Sequence, residues 1–197
     1  MTRRLIIAIS GASGVVYGIR LLEVASRIAD LETHLIISPA ARATISQETD
    51  WKVPDIEAMA TVVHAPANIG ASISSGSFQT MGMIVAPCSI KALSAVANCY
   101  GADLIARAAD VQIKEGRPVL LLVRETPLHI GHLRLAVQAA ENGAIIMPPV
   151  PAFYGRPKTI DDIVDHTVGR ALARIGLENA LHATWQGMGN PNPPGEG

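Results

Sequence analysis

Ser10-Gly11-Ala12-Ser13-Gly14 places two hydroxyls and two glycines in five positions, directly behind the apolar run Leu5-Ile6-Ile7-Ala8-Ile9. Glycine lets a backbone tighten and approach a ligand, hydroxyls add hydrogen bonds, and a helix starting near Val15 turns free N–H groups toward the same space. The chemistry of such a turn is anion binding, above all of phosphate. The pattern is neither the three-glycine dinucleotide fingerprint nor a phosphate loop ending in Gly-Lys-Ser/Thr, so a tight turn without a ligand stays open on this motif alone. Three further polar stops follow apolar runs: Ser38-Pro39, Cys88-Ser89 and Arg124-Glu125. His129 and His132 are the one closely spaced histidine pair, but no carboxylate stands at ligand spacing, and no metal is expected.

The elements that must position these groups are legible from apolar periodicity. Five apolar residues in a row, too few for a helix, suit a strand buried on both faces of a parallel sheet. Val15 to Ile28 reads as an amphipathic helix, Thr33 to Ile37 as a second strand, and Ser38-Pro39 as the start of a helix running to about Thr49. Val53 to Gly82 is the least regular stretch, with a short helical piece near Ile56 to Ala60 and a strand at Thr61 to His64. Its hydroxyl-rich segment Ile73-Ser74-Ser75-Gly76-Ser77 is either a solvated loop or a lid. Met83 to Pro87 is the next strand, and a helix opens at Cys88-Ser89 and runs through Ala97. Leu104 to Glu115 is an alanine-rich helix with Arg107, Asp110 and Lys114 on one face, which on its own reads as a solvated salt-bridge stripe. Pro118 to Val123 is a strand ending at Arg124-Glu125, and Ala144 to Met147 is the last one. A stiff connector from Pro148 to Tyr154 leads to Thr159, which caps a helix from Ile160 to about Gly176 with Asp162 as capping partner.

Alternating strands and helices specify an α/β fold, a Rossmann-like or flavodoxin-like three-layer αβα arrangement with a mainly parallel sheet. Its 197 residues, 49% of them hydrophobic, suit a single domain over 1–186, with a Gly/Pro/Asn-rich tail over 187–197 expected to be disordered. Right-handed crossovers bring the turns after the strands to one edge, so Ser10 to Gly14, Ser38, Ser89 and Arg124 converge. Such a crevice suits a mononucleotide such as FMN. No acid follows the second strand to hold a dinucleotide ribose, and Ser38 there favours a phosphate monoester over NAD. A net charge of -1 and 4% aromatic residues give no footprint for nucleic acid. Cys88 and Cys99 form no CxxC or zinc spacing, no apolar run reaches the length of a membrane span, and the N-terminus shows no cleavable signal. A cytoplasmic protein with free thiols is expected.

Gly11-Ala12-Ser13-Gly14, Glu48-Thr49, Ser74-Ser75-Gly76-Ser77, Pro87-Cys88-Ser89, Arg107-Ala108-Ala109-Asp110, Lys114-Glu115, Arg124-Glu125 and Pro151-Ala152-Phe153-Tyr154 occur in one order over nearly the whole chain to Trp185. In this the chain resembles the UbiX flavin prenyltransferases, and most of all the branch associated with decarboxylation of phenolic and phenylacrylic acids. The resemblance implies a flavoprotein that joins dimethylallyl from its monophosphate to reduced FMN, without metal, for use by a UbiD-type decarboxylase. It also implies a homododecamer whose sites are shared between subunits.

Carried over by position, the resemblance assigns FMN to Ala12, Ser13, Gly14, Ser38, Ser89, Ile90, Lys91, Ala92 and Arg124. Tyr154 and Arg170 would hold the prenyl phosphate, completed by Arg107, Lys114 and Glu125, with Ser75 also on the substrate side. Cations there would stabilise the charge left on a departing phosphate. Glu48 and Ser13 resemble the family's proton handlers, although the residues alone read Glu48 as an exposed acid late in a helix. The chain departs from the family at His129, Gly131, Arg134 and Leu135, and has Val123 where a proline is common, which bears on that wall of the site and on subunit contacts. Two other readings stand beside the prenyltransferase: an FMN-dependent cysteine-type decarboxylase of the same fold, and a non-catalytic flavin-binding accessory protein.

Overall fold

A computed structural model describes residues 3–182 and Gly187. The tail expected to be disordered lies outside the described residues apart from Gly187. The chain runs β1 (Arg3–Ile9), α1 (Val15–Ala25), β2 (Leu31–Ile37), α2 (Pro39–Glu48), α3 (Val53–Met59), β3 (Val62–His64), a short 3-10 turn (Ser72–Ser74) and β4 (Gly82–Cys88). It continues through α4 (Ile90–Ala97), α5 (Leu104–Lys114), β5 (Val119–Val123), α6 (Ile130–Glu141), β6 (Ile145–Ile146) and α7 (Ile160–Arg174). The strands form one sheet in the order β3-β2-β1-β4-β5-β6, with every pairing parallel. The order reverses between β1 and β4, where an open α/β sheet parts its crossovers and leaves a crevice.

β1 shows why its apolar run is continuous. Leu5, Ile7 and Ile9 face one layer, built on α1, α2, α3 and α7 with Ile19, Ile45, Ile56 and Leu172. Ile6 and Ala8 face the other, where α4, α5 and α6 contribute Leu93, Ala108 and Ala139. All five are fully buried, and full burial of an Ile or Leu side chain contributes about 1.5–3 kcal/mol. α1 lies close over the sheet because position 18 is glycine: a Cβ there would stand 2.1 Å from the Ala86 carbonyl oxygen.

The expected elements are present with shifted ends. α1 stops at Ala25 instead of Ile28, and β6 is only Ile145–Ile146. α3 begins at Val53, ahead of the expected Ile56, because Pro54 fits the first turn of a helix. α6 has no counterpart among the sequence expectations. Its N-cap is the imidazole of His129, an unusual cap, and its apolar residues point both ways, with Ala139 buried while Ile130, Leu133 and Val137 are exposed. A helix without one apolar face has no clear period.

Candidate functional site

A cavity of about 750 Å³ opens at the carboxyl edge of the sheet, over the β1/β4 switch point. The turns after β1, β2, β4 and β5 line it through Ser10 to Ser13, Ser38, Ser89 to Ala92, and Arg124-Glu125. All the positions expected to hold the flavin are therefore on its wall except Gly14, together with Glu125. Sequence reasoning missed Pro66 and Ala67 behind β3, and Ala102, Asp103 and Ile105 from the α4–α5 connection. The first pair could have been found, since β3 is another strand ending at the same edge. The others follow no strand, and only the N-cap signal of Asp103, which accepts from Ala106 N at 3.0 Å, marks that place.

Backbone hydrogen bonds past the strand ends hold the turns in register. Ser38 N donates to Ile9 O at 3.0 Å, Ser10 N to Pro87 O at 3.2 Å, and Arg124 N to Cys88 O at 3.0 Å. The Ser10 hydroxyl donates to Pro87 O at 2.8 Å and accepts from Ser89 N at 2.8 Å. Ser10 was expected to offer its hydroxyl to a ligand; instead it joins two turns.

The N-terminus of α1, expected to offer free N–H groups to the ligand, is closed by a carboxylate. Glu48 Oε2 accepts from Gly14 N at 2.8 Å and Val15 N at 3.4 Å, so these N–H groups are not free for an anion. Glu48 sits at the end of α2, and the late-helix acid serves as a cap for a different helix. Gly14, the N-cap of α1, has φ +91°, a left-handed conformation strained for any residue with a Cβ. Burial works to raise the Glu48 carboxyl, but the Ser13 hydroxyl, the Gly14 and Val15 N–H groups and the Arg124 charge together hold it below the ordinary glutamate value.

Free donors remain at α4. Ser89 Oγ accepts from Ala92 N at 3.3 Å, while Ile90 and Lys91 in the first turn have no intrahelical acceptor for their N–H groups. At α2, Ser38 Oγ accepts from Ala41 N at 3.1 Å, and Pro39 has no N–H to give. Hydroxyls, the open end of α4 and the Arg124 guanidinium fit a phosphate monoester. Among the described residues no group of three or more His, Cys, Asp or Glu side chains is placed to hold a metal ion. Cys88 is buried and its thiol is pushed up to about 12, so it carries no thiolate chemistry at neutral pH.

The other expected residues do not line this cavity. Arg107 pairs with Asp110 at 3.0 Å and reaches Ser74 O at 3.4 Å, whereas Lys114 pairs with its neighbour Glu115. Ser75 Oγ lies 2.9 Å from Ser77 Oγ in the same loop, and Arg117 clamps that loop through Gly76 O at 2.7 Å and Phe78 O at 2.9 Å. Tyr154 Oη is 2.8 Å from His166 Nε2, and Arg170 lies on α7 beside Arg174, against Ile145 to Met147. α5 and α7 cover opposite faces of the sheet, so Arg107 and Arg170 start from opposite layers of one protomer. His129, Gly131, Arg134 and Leu135 are not among the residues lining this protomer's cavity. They belong to α6, where His129 Nδ1 accepts from Gly131 N at 3.0 Å and the His129 and His132 rings lie 3.6 Å apart.

Comparison with known proteins agrees on one family. Residues 1–172 match the Flavoprotein family. The flavin prenyltransferase UbiX of Escherichia coli is 57% identical over 187 residues, covering 94% of this chain and 99% of that protein. Among solved structures, the dodecameric FMN-dependent UbiX-like decarboxylase of Escherichia coli superposes with a TM-score of 0.91 at 44% identity, covering 93% of this chain and 100% of that one. AnUbiX in complex with FMN and dimethylallyl pyrophosphate gives 0.92 at 44% identity, covering 95% and 99%.

Proposed function

The chain belongs to the flavoprotein family of the UbiX flavin prenyltransferases, and on that premise we propose that it joins a dimethylallyl group from dimethylallyl monophosphate to reduced FMN. The observation that carries this reading is the 750 Å³ cavity at the switch point, in which the open N-terminus of α4, two serine hydroxyls and Arg124 face one space. The α4 N–H groups of Ile90 and Lys91, with Ser38, Ser89 and Arg124, would hold the FMN phosphate. Ala12, Ser13 and Ala92 would line the rest of the flavin site, with Gly14 turning the backbone behind Ser13. When bound, reduced FMN supplies the nucleophilic ring positions that receive the five-carbon group.

This chain's own residues do the remaining work. Breaking the allylic C–O bond leaves negative charge on the departing phosphate, and Arg107, Lys114, Tyr154 and Arg170 stabilise it, with Glu125 and Ser75 ordering the same site. No metal is required for that step. Glu48 would accept the proton released as the second bond to the flavin forms, with the Ser13 hydroxyl beside it as relay. Since α5 and α7 lie on opposite layers, the phosphate site is completed by neighbouring subunits of a homo-oligomer, a dodecamer as in the UbiX-like relative. The exposed apolar residues Ile130, Val137, Val150 and Phe153 are suited to such contacts. The product serves a UbiD-type decarboxylase in the cytoplasm; no described helix is long and apolar enough to cross a membrane.

The test is incubation with reduced FMN and either dimethylallyl monophosphate or the diphosphate, followed by mass spectrometry. A flavin heavier by one five-carbon unit is the expected result, and unchanged FMN with both donors would overturn the reading.

A further inference from the structure

β1 ends by holding both serine-capped helices that face the cavity. The Ile9 carbonyl takes the N–H of Ser38, the cap of α2, and the Ser10 hydroxyl takes the N–H of Ser89, the cap of α4. The second tie is the unusual one, because it runs through a side chain. Ser10 is 3% exposed, its proton goes to Pro87 O at 2.8 Å, and one lone pair is filled by Ser89 N at 2.8 Å. What remains is an acceptor, and a phosphate dianion has no proton to give it. Ser10 thus lies on the cavity floor without being able to bond a phosphate there.

We propose that Ser10 is a positioning residue for the flavin phosphate, setting the first turn of α4 against the β1 turn by clasping Pro87 and Ser89 together. From Ser89 the effect passes along one residue to the helix. Its N–H is fixed by Ser10 while its own hydroxyl caps Ala92 N, so the direction of the Ile90 and Lys91 N–H groups follows from where Ser10 holds Ser89. Removing the hydroxyl leaves the Ser89 N–H without its partner beside the anion and frees the cap to rotate. The ribityl and ring contacts along the β1 turn are not routed through this clasp.

The inference rests on the reading that the FMN phosphate sits on α4, and the experiment separates the two. Full-length wild type and Ser10→Ala are titrated with FMN and with riboflavin, which lacks the phosphate, by flavin fluorescence. Wild type is expected to prefer FMN. In Ser10→Ala the FMN affinity should fall roughly tenfold to a hundredfold, the size expected when one charge-assisted hydrogen bond to the phosphate is misdirected, while riboflavin affinity stays put. Ser10→Thr and Ser10→Val form a second pair, equal in shape and different in the hydroxyl, so that steric damage is shared; the preference for FMN should survive better in the Thr variant. Equal loss for both flavins, no loss for either, or identical behaviour of Thr and Val would overturn the role of Ser10. A wild type that does not distinguish FMN from riboflavin would overturn the α4 phosphate site and the role of Ser10 with it.

Discussion

Glu48 Oε2 lies 2.8 Å from the backbone N of Gly14, which joins the last residue of α2 to the cap of α1 beside Ser13 of the cavity wall. A carboxylate at a helix N-terminus is favoured by the helix dipole and by the N–H groups it pairs. Because the Glu48 carboxyl is held below its ordinary 4.5, its ionised form stabilises the fold at all pH above that value, and the contribution fades as pH falls through the lowered folded value. Glu48→Ala should cost about 0.5–2 kcal/mol at pH 7, the usual range for a lost cap. Glu48→Gln keeps an acceptor oxygen and should lose less. The gap in thermal midpoint between Glu48→Gln and wild type should be open at pH 7 and narrow as pH falls below 4.5; a gap that widens in acid would contradict the assignment.

The same substitution tests chemistry separately from stability. With FMN still bound, Glu48→Gln should slow complete product formation by about 10²–10⁴, the range for a lost general base. Single-turnover measurement at saturating substrates is the check. A wild-type rate would leave Glu48 as a cap alone.

Donors at the cavity, and the missing ribose acid after β2, predict the ligand preference. The protein should bind FMN more tightly than FAD or NAD, and a chelator should leave the affinity unchanged. Isothermal titration with the three ligands, with and without chelator, reads this directly. Tighter binding of NAD would sink it.

The sheet and the crevice were legible because their signals are local. β1 is an uninterrupted apolar run ending in glycine and serine, and parallel strands with right-handed crossovers leave few places for such a turn to go. What each donor does there was not legible. Ser10 and Ser13 look alike in sequence, yet one is sealed between Pro87 and Ser89 and the other is exposed beside Glu48. The free-looking end of α1 is closed by an acid 34 positions away in the chain, a pairing no periodicity reveals. Thr159 with Asp162 is the contrasting case: both bonds of that capping box span three residues, and it forms as expected.

Away from the site, a histidine pair makes stability depend on pH. His34 Nδ1 and His64 Nε2 are 2.9 Å apart, joining β2 to the edge strand β3, with Glu32 and Arg4 packed beside them. Burial first, then the neighbouring His64, holds His34 below the ordinary 6.5 against the pull of Glu32, and burial does the same for His64. The unfolded chain therefore takes up protons below pH 6.5 that the fold resists, so stability falls as pH drops from 6.5 toward the lowered values. His64→Gln removes one of the two sites. Its thermal midpoint between pH 7.5 and 5.5 should decline less steeply than that of wild type, and parallel slopes would exclude the pair as the cause.

Arg107 on α5 and Arg170 on α7 rise from opposite layers of the sheet, yet both are assigned to one prenyl phosphate. If the site is shared, each belongs to a different protomer at any one site. Arg107→Ala and Arg170→Ala homo-oligomers should then each lose prenyl transfer, by a factor of about 10–200 for one charge-assisted partner, while binding FMN normally. Mixing the two variants under conditions that allow subunits to exchange changes the count. Some sites in a mixed oligomer receive the intact Arg107 of one protomer and the intact Arg170 of its neighbour, and others receive both defects. Activity should therefore reappear on mixing, to a fraction of wild type set by the subunit ratio, and should not reappear when either variant is mixed with an Arg107→Ala/Arg170→Ala double variant. Recovery in the first mixture alone identifies a site built between chains. If the mixed oligomers form, as shown by native mass spectrometry, and stay inactive, the two arginines act within one protomer and the shared phosphate site is wrong.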